Sequence, residues 1–483
     1  MSIEVTRVDR SVSNLDKRMA FHFGNVVASE GPHHFLEVGV EIDGEPADGL
    51  SMVGMAPMWF LKDPTLSLAE ATEHLLAVFD AACEHALVID PAPTVFEFWH
   101  ALYERQRAWA ADTDHPPLLW AYGVSMVEQA VIDAFCRHHE VTFAEAVREG
   151  LFGIEPGRIY DELAGADPAE FLPEEPVREV AIRHTVGLSD PLRAEDLDDG
   201  DRLDDGLPQT LAEYVEIDGV DHFKIKLSAD PDRDAERLAR IGEVLAASGL
   251  DEYACTLDAN EGYESARAFK AQWERHVEDS SLAAVLDHVA YVEQPLPREA
   301  ALTDETRAVL CGWDERPPII IDESDDHLDS AGRALDCGYA GTSHKNCKGV
   351  FKGIVNACLI EKRRREERDR EYVISGEDLT TIGPVELLQD LAVMGSLGMA
   401  HVERNGHHYY RGLSFLPDDL QETVLDAHGD LYRRHVTGFA TMDVHDGQIR
   451  FDSVVDAPFG RDFELDPSRF TPIEEWDVDS VYS

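Results

Sequence analysis

Residues 222–228, HFKIKLS, and 255–263, CTLDANEGY, decide the fold. Each is a short apolar strand ending on charged side chains, and a helical stretch at 232–248 lies between them. The unit recurs. Strands are predicted at Glu179–Val186, Asp221–Leu227, Tyr253–Leu257, Val289–Val292, Pro318–Ile321, Tyr372–Ile374 and around Ala400–Val402, with a weaker one at Ala340–Lys345. Helical segments at 232–248, 263–279, 301–310, 329–337, 349–371 and 384–397 separate most of them. Such alternation builds a parallel sheet. Eight strands in roughly 235 residues fit a closed (β/α)-barrel better than an open sheet.

Outward from the barrel the pattern changes. Residues 33–62 alternate like strands (FLEVGVEIDG, then LSMVGMAPMWFL) around a DGEPADG turn, which predicts a hairpin. Residues 66–150 predict helices, with Leu118, Ala121, Val124, Val127, Ala130, Val131 and Phe135 at three- and four-residue spacing. The Pro- and acid-rich stretch Asp167–Pro176 marks a boundary. The expected organisation is an α+β unit over 1–177, the barrel over 178–412, and a segment over 413–483 returning to the N-terminal unit.

Composition sets the background. Of 483 residues, 96 are Asp or Glu and 42 are Lys or Arg, for a net charge of −54. Nucleic acid and anionic membranes both require basic surface, so neither is expected as a partner. The acid is spread along the chain, with short clusters such as Asp198–Asp205. Only nine of the 42 cations are lysines. A uniformly acidic, lysine-poor chain resembles proteins of salt-loving organisms, where molar salt screens repulsion beyond roughly 3 Å. Lysines at 224, 226, 345, 348 and 352 fall in two short segments, which become the places to look for chemistry. Seven irregularly spaced cysteines predict neither a disulfide framework nor a CxxC zinc site. No apolar leader and no run of 18 apolar residues occur, so the expectation is a soluble, cytoplasmic protein.

Catalytic groups of a parallel barrel sit where strands end. The second strand offers Lys224 and Lys226, the third Asp258 and Asn260, the fourth Glu293, the fifth Asp322 and Glu323, and the sixth His344, Lys345 and Lys348. Successive steps from Lys224 to Asp258, Glu293, Asp322 and Lys345 are 34, 35, 29 and 23 residues, about one βα unit each. The five groups therefore converge on one mouth. Three carboxylates at consecutive strand ends suit a hard divalent cation such as Mg²⁺, which takes oxygen ligands and leaves room for water and substrate. The KxK spacing puts Lys224 and Lys226 on one inward face, where Lys224 is expected to depress the pKa of Lys226 and to contact an anionic substrate. Lys345, about four strands away, would face the opposite side of that substrate.

These motifs resemble the enolase superfamily, in particular its muconate-cycloisomerase-like (mandelate racemase/muconate lactonizing enzyme) branch. FKIKLS, LDANEGY, VEQPLP and IDES look like its successive strand ends, SGEDLTTIGPVELL (375–388) is similar to its seventh strand and helix, and SMVEQAVIDAF (125–135) to the helix before its barrel. The resemblance covers nearly the whole chain. It implies a modified TIM barrel with an α+β cap made by the N-terminal region and the C-terminal tail, Asp258, Glu293 and Asp322 as Mg²⁺ ligands, and Lys226 and Lys345 as an acid/base pair with Lys224 beside the base. The implied reaction is Mg²⁺-dependent removal of a proton α to the carboxylate of a small acid through an enediolate, giving racemisation or epimerisation, cycloisomerisation or elimination. Family barrels often assemble, so a homo-oligomer is expected.

The sixth strand departs from the family's lysine followed by Gly-Gly. It leaves Lys345 and Lys348 as alternatives for the second base, with Lys345 preferred because Gly349 suits the next helix start. His344 would then point outward. His407 and His408 are either substrate contacts or surface histidines. If a His pairs with an Asp at the mouth, an acid-sugar dehydratase becomes the alternative. Lysines salt-bridged to Asp258 and Asp322 at a metal-free mouth would instead favour a non-catalytic binding barrel. Gly54, Met55 and Trp59 are either a lid or core, and Asn260 and Gln294 either orient the neighbouring ligands or do not. KRRR at 362–365, followed by EERDRE, predicts a helix face of i,i+4 ion pairs, and Cys255, Cys347 and Cys358 small buried fillers.

Overall fold

The computed structural model describes residues 1–23, 26–198, 200–250 and 252–482; Gly24 and Asn25 of the cap and Asp199 of the acidic cluster lie outside the described residues. In the N-terminal unit β1 (Ile3–Ser13), β4 (His33–Ile42) and β5 (Glu45–Gly54) form an antiparallel sheet. β2 (Asp16–Phe23) and β3 (Val26–Glu30) make a separate ribbon. β4 and β5 are the hairpin predicted at 33–62, but its turn is only Asp43–Gly44. Both turn residues have positive φ, 53° and 84°, as a two-residue connection between right-twisted strands requires. β1 was not predicted. A bulge between Val5 and Arg7 shifts its pairing with β4, so its apolar residues do not keep one alternating phase.

The helices follow: α1 (Pro57–Leu61), α2 (Leu68–Ala86), α3 (Val95–Ala110), α4 (Pro117–His139) and α5 (Phe143–Arg148). α4 is buried on every side from Leu118 to Cys136, because it lies between the cap sheet, α2 and α3. β5 approaches it so closely that a Cβ on Gly49 would stand 2.1 Å from the Ala130 carbonyl. Asp133 of α4 fastens three parts of the chain. Its buried carboxylate accepts the Leu50 amide of β5 at 2.9 Å, Arg461 of the C-terminal segment at 2.9 Å and Arg137 at 3.2 Å.

Eight parallel strands then close a barrel: β6 (Glu179–Val186), β7 (His222–Lys226), β8 (Ala254–Asp258), β9 (Val289–Glu293), β10 (Ile319–Ile321), β11 (Gly341–His344), β12 (Val373–Gly376) and β13 (His401–Glu403). β13 pairs back onto β6, which completes the ring. Each predicted strand is present. The connecting helices are α6 (Leu211–Glu213), α7 (Pro231–Ala247), α8 (Ala266–Glu278), α9 (Ala283–Leu286), α10 (Arg298–Ala301), α11 (Asp304–Cys311), α12 (Ser330–Cys337), α13 (Val350–Glu366) and α14 (Glu386–Leu397). The helix expected at 301–310 is thus split between α10 and α11. At the end of α13 Lys362 pairs with Glu366, Arg363 with Glu162 and Glu367, and Arg364 and Arg365 with Glu361, so KRRR is an ion-paired helix face.

The expectation that 413–483 returns to the cap describes only part of that segment. A hairpin, β14 (Tyr432–Arg434) and β15 (Ala440–Met442), precedes β16 (Gln448–Arg450), which pairs antiparallel with β6 of the barrel. The barrel offers β6's N-terminal end there, so this stretch docks on the barrel instead. Only later does β17 (Thr471–Pro472) pair with β1, while Phe470 stacks on Phe35 at 4.2 Å. Among the described residues no helix is long and apolar enough to cross a membrane, and all seven cysteines are free.

α4 also holds the loop after β11. Glu128 accepts the Val350 and Phe351 amides at 3.0 and 2.7 Å, closing the N-terminus of α13, and Ser125 donates to the Asn346 carbonyl. Two predictions follow from α4. Asp133→Ala strands Arg461 and the Leu50 amide in the interior and should lower stability by about 3–5 kcal/mol, read as a lower denaturant midpoint. Burial raises Glu128 from 4.5 to about 8, against the two amide donors. The folded state therefore favours its neutral form, so its contribution is full below about 4.5 and is lost as pH rises through about 8. Stability measured across that window should fall in the wild type relative to Glu128→Gln, and parallel profiles would contradict it.

Candidate active site

The inward residues at the C-terminal ends of the barrel strands are charged. Lys226 of β7, Asp258 of β8 and Glu293 of β9 lie side by side in register, and Asp322 follows β10. All are buried. Lys226 Nζ is 2.5 Å from Asp258 Oδ2 and 2.9 Å from Asn260 Oδ1. Lys345 Nζ, across the ring, is 2.5 Å from Asp322 Oδ2. These five expected residues therefore meet at one mouth, with Lys224 beside them.

Lys224 behaves differently from expectation. Its ammonium stands among four carboxylates: Asp258 at 3.1 Å, Glu293 at 2.8 Å, Glu403 at 3.1 Å, and Glu377. Burial alone would lower its pKa, but these acids outweigh it and raise it well above the usual lysine range. Its charge is neutralised by the acids around it rather than directed at Lys226.

Glu377 and Glu403 end the seventh and eighth strands and escaped the sequence reading. The same rule would have found them in SGED (375–378) and HVERN (401–405). In a chain with 96 acids, neither stood out without a lysine beside it. Arg183 of β6 was also missed. Fully buried beneath the mouth, it binds Glu377 and donates to Ser375 Oγ at 3.0 Å and the Gly376 carbonyl at 2.9 Å.

The acids differ in their balance. Burial works to raise Asp322, but Lys345, Lys348 and Lys224 outweigh it and hold its carboxyl well below the ordinary range. Asp258 is likewise lowered, by Lys224 and Lys226 against burial. Glu293 is pushed well above its ordinary value by burial and by the charges of Asp258 and Glu377. Lys345 is raised, since Asp322 overcomes the effect of burial.

Lys348 does not face the mouth. It donates to the Ser343 carbonyl at 2.6 Å and sits 3.2 Å from Asp322 Oδ1, behind the strand end. Lys345 instead lines a cavity of about 880 Å³, open mouth included, that also touches Lys224, Lys226, Asp258, Asn260, Asp378 and Glu403. His344 points outward and packs against α13, where a Cβ on Gly353 would come within 2.1 Å of its Nδ1. Gln294 accepts the Asp322 and Ser324 amides at 2.7 and 3.1 Å, fixing the end of the fifth strand.

His407 and His408 are not exposed surface residues. Neither lines the cavity. His408 is buried, with Nδ1 2.5 Å from the Tyr214 hydroxyl and Nε2 3.5 Å from Asp190. Both belong to the short helix Gly406–Tyr409, and their rings pack against His184 and Tyr214. A His–Asp pair exists, but not at the mouth.

The cap closes the cavity. Gly54, Met55, Met58 and Trp59 line it, with the Trp59 ring 4.7 Å from Lys345 Nζ. Two cations clamp this lid to the barrel loops. Lys62 binds Glu261 and, at 2.8 Å, Glu323, and Arg298 donates to the Trp59 and Phe60 carbonyls at 2.8 and 2.7 Å. Lys17, His33, Tyr410 and Tyr482 complete the wall. Lys17, His33 and Tyr482 lie outside the barrel, where no strand-end spacing points to them, while Tyr410 follows the eighth strand.

Among the described residues no three His, Cys, Asp or Glu side chains already converge as a metal cage. The donor set still fits a hard cation. Its carboxylates are buried, come from successive strand ends, and leave Glu293 raised by burial and then by neighbouring negative charge.

No protein-family model matches the chain, and no curated protein matches it by sequence. Solved structures do. A mandelate racemase/muconate lactonizing protein from Herpetosiphon aurantiacus is 15% identical with a TM-score of 0.58, covering 96% of this chain and 99% of its own. The muconate lactonizing enzyme from Pseudomonas fluorescens, complexed with muconolactone, is 14% identical with a TM-score of 0.58, covering 96% and 98%. The dipeptide epimerase from Methylococcus capsulatus, complexed with Mg and the dipeptide L-Arg-D-Lys, is 14% identical with a TM-score of 0.55, covering 92% and 97%. The chain thus has the capped (β/α)-barrel fold of the mandelate racemase/muconate lactonizing enzymes.

Proposed function

We propose that this protein is an enolase-superfamily enzyme that removes a proton α to the carboxylate of a small organic acid. One observation carries the reading. Two lysines on the second and sixth of eight strands, Lys226 and Lys345, line a single cavity from opposite sides, each paired with a different strand-end carboxylate.

Asp258, Glu293 and Asp322 are the residues that would hold Mg²⁺, whose charge would stabilise an enediolate. The remaining work belongs to side chains of this chain. Asn260 accepts from Lys226 and fixes its Nζ beside the cavity, where the neutral amine would take the proton from one face and become the ammonium. Lys345, lying under Trp59, is positioned to return a proton on the other face, which gives racemisation or epimerisation. If only one lysine exchanges protons, the same site performs elimination or cycloisomerisation. Lys348 holds Asp322 from behind, so Lys345 is not the sole cation on that carboxylate. The clamped lid walls the cavity on the side away from the strands.

The pairing of Lys226 with Asp258 and Lys345 with Asp322 favours a second reading, a binding barrel without catalysis. That reading predicts ligand binding with no proton exchange. The dehydratase alternative is not supported, because its His–Asp pair, His408 and Asp190, lies away from the cavity.

The test is α-proton exchange in D₂O, followed by NMR, with N-acyl amino acids, dipeptides and sugar acids. It should be run with Mg²⁺ at high KCl, as the acidic, lysine-poor surface suggests. Wild type should exchange at least one substrate, and Lys226→Ala should slow that exchange by about 10²–10⁴-fold. Retained exchange in the variant would sink the assignment. Removing divalent cations with EDTA should abolish exchange and Mg²⁺ should restore it; exchange indifferent to EDTA would remove the metal from the reading.

A further inference from the structure

We infer that a small cavity beside the end of the eighth barrel strand, separate from the mouth, binds one monatomic anion, chloride in saline solution. The inference does not depend on the proposed reaction.

The cavity lies where the loop after β12 (381–383), the end of β13 and the C-terminal hairpin meet. Arg404, His407 and Tyr432 line it. Arg404 is 1% exposed and Tyr432 3%. Among the described residues, Arg404 Nε and Nη1, the Tyr432 hydroxyl and both ring nitrogens of His407 are buried without a hydrogen-bond partner. Buried donors in that condition are costly, and their clustering around one space points to an occupant. The three groups also sense one another. Burial raises the Tyr432 hydroxyl while the Arg404 charge opposes it. Burial, with the charges of His408 and Arg404, lowers the His407 ring to about 3, so the imidazole is neutral and offers one N–H.

The lining decides the sign of the occupant. In a chain with 96 acids, no Asp or Glu lines this cavity among the described residues. Arg404 gives only Nη2 to a carboxylate, Asp390 Oδ2 at 2.6 Å. Its Nη1 stands 3.6 Å from Asp378 Oδ2, beyond a hydrogen bond. Burial and the Glu403 charge raise Asp378 to about 8, so at neutral pH it is mostly protonated and offsets little of the guanidinium charge. The rest of the wall is largely apolar, with Ile382, Leu387 and Leu413. A water would have to place two protons of its own there, whereas an anion only accepts.

Size narrows the choice. The space between the walls, opening included, is about 340 Å³, and the free room inside suits one or two water-sized groups. Gly383 keeps it narrow, since a Cβ there would collide with the Tyr432 hydroxyl. Chloride fits and phosphate does not. Accepting from Arg404 and Tyr432, the anion ties the eighth strand to β14 and so fastens the hairpin to the barrel.

Crystals transferred from KCl to KBr locate the anion by the anomalous scattering of bromide, and thermal unfolding is followed as chloride replaces gluconate, too large for the cavity, at constant potassium. Wild type should show bromide within hydrogen-bond reach of Arg404 and the Tyr432 hydroxyl. Its Tm should rise by about 2–4 °C and then level off, as one saturable site requires. Tyr432→Phe keeps the ring, removes one donor, and should raise the half-saturating chloride about tenfold. Arg404→Met should lose both the peak and the saturable rise; if it does not fold, wild type and Tyr432→Phe still decide. No bromide between Arg404 and Tyr432, or a chloride dependence unchanged in Tyr432→Phe, overturns the inference and leaves the cavity to water.

Discussion

The ammonium of Lys224 is the charge on which the mouth depends. Asp258, Glu293, Glu377 and Glu403 crowd around it, all buried. Carboxylates this close repel strongly where water cannot screen them, so the arrangement exists only because cations stand among them. Arg183 supplies one from below through Glu377. Lys226, Lys345 and Lys348 supply others from the sides through Asp258 and Asp322. Five cationic and five anionic side chains thus match one another. The strands can present acids toward one point because the barrel closes and β13 returns to β6. A slip of one residue in any strand would exchange an inward charge for an outward apolar group.

Most of the barrel was legible in the sequence, and physics explains which parts were not. Strand–helix alternation is a local pattern, so all eight strands could be read. The strand-end rule then located Lys226, Asp258, Glu293, Asp322 and Lys345 where the structure brings them together. It stopped short of Glu377 and Glu403, because acids this common carry little information singly. β1 escaped because its bulge interrupts the alternation. The cap contributions of Lys17, His33 and Tyr482 were out of reach for another reason. Lys17 and His33 precede the barrel and Tyr482 follows it, and no spacing rule connects them to the strand ends. Neither was β16 legible, since a three-residue edge strand has too few positions to show a period.

Backbone strain gathers at the same rim. Asn260, Glu261 and Gln294 all have positive φ, at 42°, 69° and 37°, although none is glycine. Each follows a candidate ligand by one to three residues, and each is held by hydrogen bonds: Asn260 by Asp258, Glu261 by Arg298, Gln294 by Ser324. Left-handed backbone is unfavourable for such residues and persists only where surroundings over-determine it. Here the clamp on the lid and the turn after each strand use the same side chains. Glu261 binds both Lys62 and Arg298, and Glu323 binds both Lys62 and Asn260. The lid and the strand ends are therefore mechanically one part, and displacing one disturbs the other.

The lysines have a consequence for the outside of the molecule. Five of the nine are buried, at 224, 226, 345, 348 and 352, and the other four are only partly accessible. The solvent-facing positive charge is consequently almost all guanidinium. Guanidinium keeps its proton at any pH in which a protein survives, whereas an amine begins to lose it near pH 10. As a solution is made alkaline, most of the outer cations therefore keep their charge, because only four of the nine amines reach the surface at all. Lysine has been largely withdrawn from the surface and gathered at the strand ends of the barrel.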